Sequence, residues 1–269
     1  MAWWKAWSEA EGKSVTGALN FDPAPDAQTL YKAMKGLGTD EQAIIDVLTK
    51  RSNMQRQLIA KSFKGQFGKD LIESLKSELS GNFERLIVAL MYSPFKYDAK
   101  ELHDAMKGER DNATLYVDTA LAVQDAEILY AAGEKIRGTD EIKFITILCT
   151  RSATHLLKVF EEYQKLAGKS IEDSIRSETH GSLEDAMLAI VKCTRNVHCY
   201  FAERLYHALK GAGTRDGTLI RVIVSRSEVD LNLIKAEFKH ITGKSLSSMI
   251  LDDTSGDYKT ALLNLCGSD

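Results

Sequence analysis

A block of about forty residues occurs three times in this chain without a gap, and a block repeated in this way folds as a repeated unit. The copies open as GTDEQAIIDVLTKRS from Gly38, GTDEIKFITILCTRS from Gly138 and GTRDGTLIRVIVSRS from Gly213. Counted from Thr39, Thr139 and Thr214, an Arg-Ser pair starts 12 residues on, at Arg51, Arg151 and Arg226. A Gly-Lys pair starts 29 on, at Gly68, Gly168 and Gly243. An acid lies 39 on, at Glu78, Glu178 and Asp253, and a glycine 42 on, at Gly81, Gly181 and Gly256.

The repeat reads as helical throughout. Only Pro23, Pro25 and Pro94 are present, so nothing after Pro94 stops a helix except Gly, Ser, Asn and Asp. Phe83, Leu86, Ile87 and Leu90 fall at i, i+3, i+4 and i+7, and Ile44, Ile45 and Leu48 form a similar stripe. Leu219–Val224 is rich enough in β-branched residues for a strand but sits between helical flanks, so the fold class is all-α. One copy predicts five helices, over 26–35, 39–50 with Thr39 as N-cap, 53–66, 70–79 and 81–92, and each copy is long enough to bury a small core.

A fourth copy begins and stops. Asp98–Gly108 (DAKELHDAMKG) matches the first helix of a unit, but Glu109-Arg110-Asp111-Asn112 follows, with no Gly-Thr, no Arg-Ser and no counterpart of the acidic position of the repeat before the next copy near Gln124. The expected division is a tail over 1–22, a repeat over 23–93, a remnant and linker over 94–121, and repeats over 122–194 and 195–269.

Composition narrows the function classes. The 269 residues carry a net charge of −3, so no global basic field draws the chain to nucleic acid or acidic lipid. An anionic partner has to be reached through a local patch or a bound cation. No apolar run approaches the ~18 residues of a membrane span, and MAWWKAWSEAEGK has no signal-peptide pattern. The four cysteines and six histidines show no metal spacing, so the expected compartment is the cytoplasm with reduced thiols. GxSxG, a phosphate loop and HExxH are absent, and catalysis is not expected.

The loops between the first two helices of each unit hold the chemistry. In Met34-Lys35-Gly36-Leu37-Gly38-Thr39 two glycines allow positive φ and turn carbonyls to one side. Ca²⁺ takes six to eight oxygens, and Glu78 at the end of the fourth helix is suited to add a carboxylate to the carbonyls of Met34, Gly36 and Gly38. The last copy offers Leu209, Gly211, Gly213 and Asp253, while the middle copy differs, with Gly133-Glu134-Lys135-Ile136-Arg137-Gly138-Thr139 and Glu178. Alone, Gly-x-Gly-Thr is an ordinary connector between helices; joined to an acid at a fixed offset in each copy, it points to a cation loop.

This pattern, in a five-helix unit with Arg-Ser and a terminal DTSGDYKTALLNLCG, resembles the calcium loop of the annexin family from about Asp22 to Asp269. The resemblance implies a disc of repeats with calcium loops on a convex face, where Ca²⁺ bridges the protein to phosphatidylserine. It implies ligands at Met34, Gly36, Gly38 and Glu78, at Gly133, Ile136, Gly138 and Glu178, and at Leu209, Gly211, Gly213 and Asp253, with Leu37, Arg137 and Ala212 at the membrane-facing tips. It further implies movement to inner membrane faces with calcium, and anticoagulant, phospholipase-inhibiting or membrane-organising roles. Trp3, Trp4 and Trp7 could dock in a small EF-hand dimer, as annexin tails do, or pack on the chain's own core. Annexins carry four repeats or a multiple, so losing most of the second implies fewer ions, weaker membrane affinity and exposed apolar surface on the repeat around Gln124–Lys192. A protein-interaction module using that surface or the Trp-rich tail is the competing expectation.

Overall fold

Asp22 starts the first helix: its side chain accepts from the Ala24 N–H at 3.0 Å, and Pro23 at the first helical position has no N–H to leave orphaned. The computed structural model describes residues 12–36, 38–92, 117–133, 140–211 and 213–268. The first repeat comprises α1 (Pro23–Ala33), α2 (Glu41–Leu48), α3 (Asn53–Phe67), α4 (Leu71–Glu78) and α5 (Gly81–Met91). The middle repeat comprises α6 (Thr119–Gly133), α7 (Glu141–Thr150), α8 (Ala153–Ala167) and α9 (Ile171–Glu178), and continues into α10 (Ser182–Leu209). The last adds α11 (Asp216–Arg226), α12 (Leu231–Thr242), α13 (Leu246–Asp253) and α14 (Gly256–Cys266). No strand occurs among the described residues.

The β-branched run Leu219–Val224 is helical because its flanks set the period, and four of its residues reach the core. The third helices stop as the sequence predicts: Gly68, Gly168 and Gly243 cap them with φ of 69°, 69° and 72°. The N-cap of the second helix is corrected by one residue. Asp40, not Thr39, caps α2 by accepting from the Ala43 N–H at 3.0 Å, and Asp140 caps α7 in the same way. The Asp98–Lys107 helix and Trp3, Trp4 and Trp7 lie outside the described residues.

The structure explains the recurring Arg-Ser. Arg51 clamps Asp26 on α1 with two bonds of 2.7 and 2.9 Å, and Ser52 caps α3. Arg151 does the same to Asp125 on α6 at 2.7 and 3.0 Å, and Ser152 caps α8. In the last repeat Phe201 stands where the acid should be, so Arg226 lies over that ring, 4.8 Å from its centroid, and pairs with Asp230 instead.

The helices form two compact units. One contains α1–α5, α10 from Phe201 onward and α11–α14; the other contains α6–α9 and α10 through Tyr200. The helical path of α10 breaks at Asn196 (φ −158°, ψ 101°), whose side chain accepts from the N–H groups of His198 and Cys199 and restarts the helix. In the first unit the repeats do not keep separate cores. Leu30, Ile45, Leu86 and Leu90 of the first repeat join Ile220, Ala261 and Leu265 of the last in one continuous cluster. There α5 packs on α11, and α14 packs on both α2 and α5. Arg56, 2% exposed, reaches across to Glu228 at 2.6 Å and also donates to the carbonyls of Leu90, Leu48 and Arg51.

The second unit builds its own core from Leu129, Phe144, Leu148, Phe160 and Tyr163. Asp125, 1% exposed, accepts from both Arg151 and His155, the latter at 2.8 Å. Burial works to raise its pKa, but hydrogen bonds from Arg151 and His155 outweigh it and hold the carboxyl below the usual carboxylate range. A depressed folded pKa stabilises fully above the unfolded value of 3.8 and is lost as pH falls through the folded one. Asp125→Asn should therefore cost this unit about 3 kcal/mol at neutral pH. The gap between variant and wild type in urea melts should narrow below about pH 4.

Candidate cation-binding loops

The first loop is closed at its base by a hydrogen bond from the Asp40 N–H to the Ala33 carbonyl, 2.9 Å. Between these anchors Met34 leaves the helix, and Gly36 and Gly38 take φ of 124° and 87°. A Cβ at either glycine would meet nothing within 4 Å, so the requirement for glycine is conformational and not steric. Both are exposed, and so is Glu78 at the end of α4. The Thr39 hydroxyl, displaced from capping by Asp40, donates to the Glu78 carboxylate at 3.2 Å and ties it to the loop. A cleft of about 100 Å³ opens beside it, lined among others by Met34, Lys35, Lys69 and Glu78.

The last loop repeats this construction. Arg215 N–H closes it onto the Ala208 carbonyl at 2.8 Å, and Gly211 and Gly213 adopt φ of 118° and 97°. Leu209 replaces Met34 with its side chain in the core, so only its main-chain oxygen is available to the loop. Thr214 again spans 39 residues, but it donates to the Asp253 main-chain carbonyl, 3.2 Å, instead of the side chain. Aspartate is one methylene shorter than glutamate, and its carboxylate is left out of this bond.

The middle loop is one residue longer. Its closing bond runs from the Asp140 N–H to the Ala132 carbonyl, 3.0 Å, spanning eight residues where the other copies span seven. The insertion lies before the threonine from which the repeats are counted, so spacing downstream of Thr139 does not reveal it. Gly133 sits close to the acid of this copy: a Cβ there would come within 4.0 Å of the Glu178 Cγ and 3.4 Å of the Phe144 ring. Ile136, Arg137, Gly138, Leu37 and Ala212 lie outside the described residues.

The first and last loops thus bring glycine backbone and one acid side by side, and the threonine that ties them there was missed as a functional residue although its 39-residue offset was visible. Among the described residues no three His, Cys, Asp or Glu side chains converge to hold a metal. An ion at these loops would depend on main-chain oxygens. That donor set suits a hard cation such as Ca²⁺ and not a soft transition metal.

The annexin family model matches residues 25–90, 124–190 and 200–265, most of the chain. The chain belongs to the annexin family. It is 64% identical to human annexin A8-like protein 1 over 326 aligned positions, with all of both chains covered. That aligned length exceeds the 269 residues present, so the relative carries internal residues with no counterpart here, and the annexin model leaves residues 91–123 unmatched. A solved structure of an annexin A8 variant is 63% identical, with a TM-score of 0.87, covering 96% of this chain and 98% of that one. A structure described as calcium-bound annexin (Sm)1 is 28% identical, with a TM-score of 0.78, covering 95% of this chain and 93% of that one.

Proposed function

We propose that the chain binds acidic phospholipid membranes through Ca²⁺ held at its interhelical loops. The observation that carries this reading is the tied loop: positive-φ glycines beside an exposed acid, with a threonine joining the two, built twice on the same plan. The carbonyls of Met34, Gly36 and Gly38 with Glu78 would hold one ion. Leu209, Gly211, Gly213 and Asp253 would hold another, and Gly133, Ile136, Gly138 and Glu178 a third. Such a bound ion supplies the positive charge that a chain of net charge −3 lacks. Lys35 and Lys69, which line the same cleft as Glu78, add two cations suited to an acidic headgroup. Leu37, Arg137 and Ala212 would stand at the membrane-facing tips, and several weak sites would add through multivalency. The chain carries no catalytic role in this reading. Covering a lipid surface accounts for anticoagulant or phospholipase-inhibiting activity, and the chain would move from the cytoplasm to inner membrane faces as calcium rises.

No helix among the described residues is long and apolar enough to cross a membrane, so attachment would be peripheral. Co-sedimentation with phosphatidylserine vesicles tests the reading. The chain should pellet with calcium, stay in solution with chelator, and ignore phosphatidylcholine vesicles. Failure of the folded chain to pellet in calcium would overturn it.

Thr39→Val offers a finer check. It removes the hydroxyl that ties Glu78 while leaving the Asp40 cap in place. Calorimetric calcium titration should show affinity at this loop falling about threefold to tenfold, roughly one hydrogen bond's worth. The thermal midpoint should hardly move.

A further inference from the structure

Three positions compare the same face in three repeats. Ile45 and Ile220 are 0% and 4% exposed, but their counterpart Ile145 is 41% exposed. Leu86 and Ala261 are fully buried where Ala186 is exposed, and Leu90 and Leu265 are fully buried where Ile190 is partly open. Ile142, at the start of α7, is 74% exposed. In the first unit this face of one repeat is covered by the same face of the other, through α2, α5, α11 and α14. On α7 and the first part of α10 the same positions stay open and form one apolar strip.

Charge indicates what fits there. In the first unit Arg85 on α5 lies against the start of α11: its Nη2 is 3.5 Å from where a Cβ on Gly217 would be. Burial raises the Tyr258 phenol, as does neighbouring Asp216, and Arg85 opposes them, so the three groups meet at this seam. The middle repeat has Asp185 in place of Arg85 and Glu141 in place of Asp216. Each of the two helices of its open face therefore carries an acid, with Lys143, which pairs with Asp140 at 3.4 Å, beside Glu141 on α7. A second copy docking by the same geometry would set each Asp185 against the other chain's Glu141, a like-charge juxtaposition that opposes pairing.

We propose that this face docks an amphipathic helix of a partner protein whose apolar stripe is flanked by arginine or lysine. The stripe covers Ile142, Ile145, Ala186 and Ile190, and the basic residues meet Glu141 and Asp185. The inference does not draw on the cation loops, and it works in the absence of calcium.

The test titrates the full chain, in chelator, into a fluorescein-labelled synthetic helix of about 20 residues with a Leu/Ala stripe and arginine rims. A second peptide carries glutamate at the rims. The arginine peptide should bind with Kd of about 10–100 μM and the glutamate peptide should not. Asp185→Lys should weaken binding at least about tenfold, and Ile145→Glu should abolish it. Asp46→Lys, in the other unit, should leave binding unchanged. Ile145 and Asp185 are exposed, so circular dichroism melts should match wild type. Equal binding of the two peptides, no binding of the arginine peptide, or equal loss in Asp46→Lys would overturn the proposal. So would a dimer in sedimentation velocity that Ile145→Glu dissolves, which would assign the face to a second copy.

Discussion

Replacing Arg56 by leucine should destabilise the unit formed by the first and last repeats by about 3–5 kcal/mol, read as a lower urea midpoint. The guanidinium is 2% exposed and satisfies the carbonyls of Leu90, Leu48 and Arg51 as well as the Glu228 carboxylate. Burial pulls its pKa below the ordinary arginine value and the charge of Glu228 pulls it back up, as expected of a charge kept inside by its partner. Removing it alone leaves the half-buried Glu228 carboxylate to the Asn53 N–H, at 2.8 Å, and takes one donor from each of three carbonyls. Leucine already fills the Arg56 position in the other two repeats, as Leu156 and Leu231. The double variant Arg56→Leu/Glu228→Ala should therefore recover about half of the loss or more, since apolar replacement of both partners removes the stranded charge. A double variant as unstable as the single one would show that the carbonyls, not the carboxylate, set the cost.

The second large effect concerns function. In Glu78→Gln/Glu178→Gln/Asp253→Asn each acid keeps its shape and loses its charge. Half-saturation of vesicle pelleting should move up at least about 100-fold in calcium, because a hard divalent ion held as proposed would lose a charged ligand at each loop. The folded state should survive, since Glu78 and Asp253 are exposed and Thr214 bonds a main-chain oxygen that the substitution keeps. Pelleting at wild-type calcium levels would mean that the loops are connectors between helices and that membrane attachment lies elsewhere.

The repeat, its five helices and the glycine-plus-acid loops were legible in sequence because each is local or periodic. Glycine caps, apolar stripes and a constant offset of 39 need no knowledge of distant partners. Gly36 and Gly38 were expected to take positive φ, and they do. Thr39 was read as a cap because threonine commonly is one; Asp40 beside it competes better for the free N–H groups, which frees the hydroxyl for Glu78. The middle copy was seen to differ, but the extra residue in its loop is fixed only by the closing bond from Asp140 to Ala132, because it precedes the position from which the copies were aligned.

By itself, then, the sequence determined the helical repeat, the loops and the loss of most of one copy, since hydrogen bonding within helices and turns is settled by near neighbours. Tertiary structure alone decided that the first and last repeats share one core across the interior of the chain, with Arg56 and Glu228 meeting over 172 residues. The open apolar face of the middle repeat was expected from the missing copy, and the structure alone places it at Ile145, Ala186 and Ile190. Ile45, Ile145 and Ile220 occupy the same repeat position, yet only two of them are buried. Burial belongs to a pair of surfaces, and a residue cannot record whether the opposite surface is present.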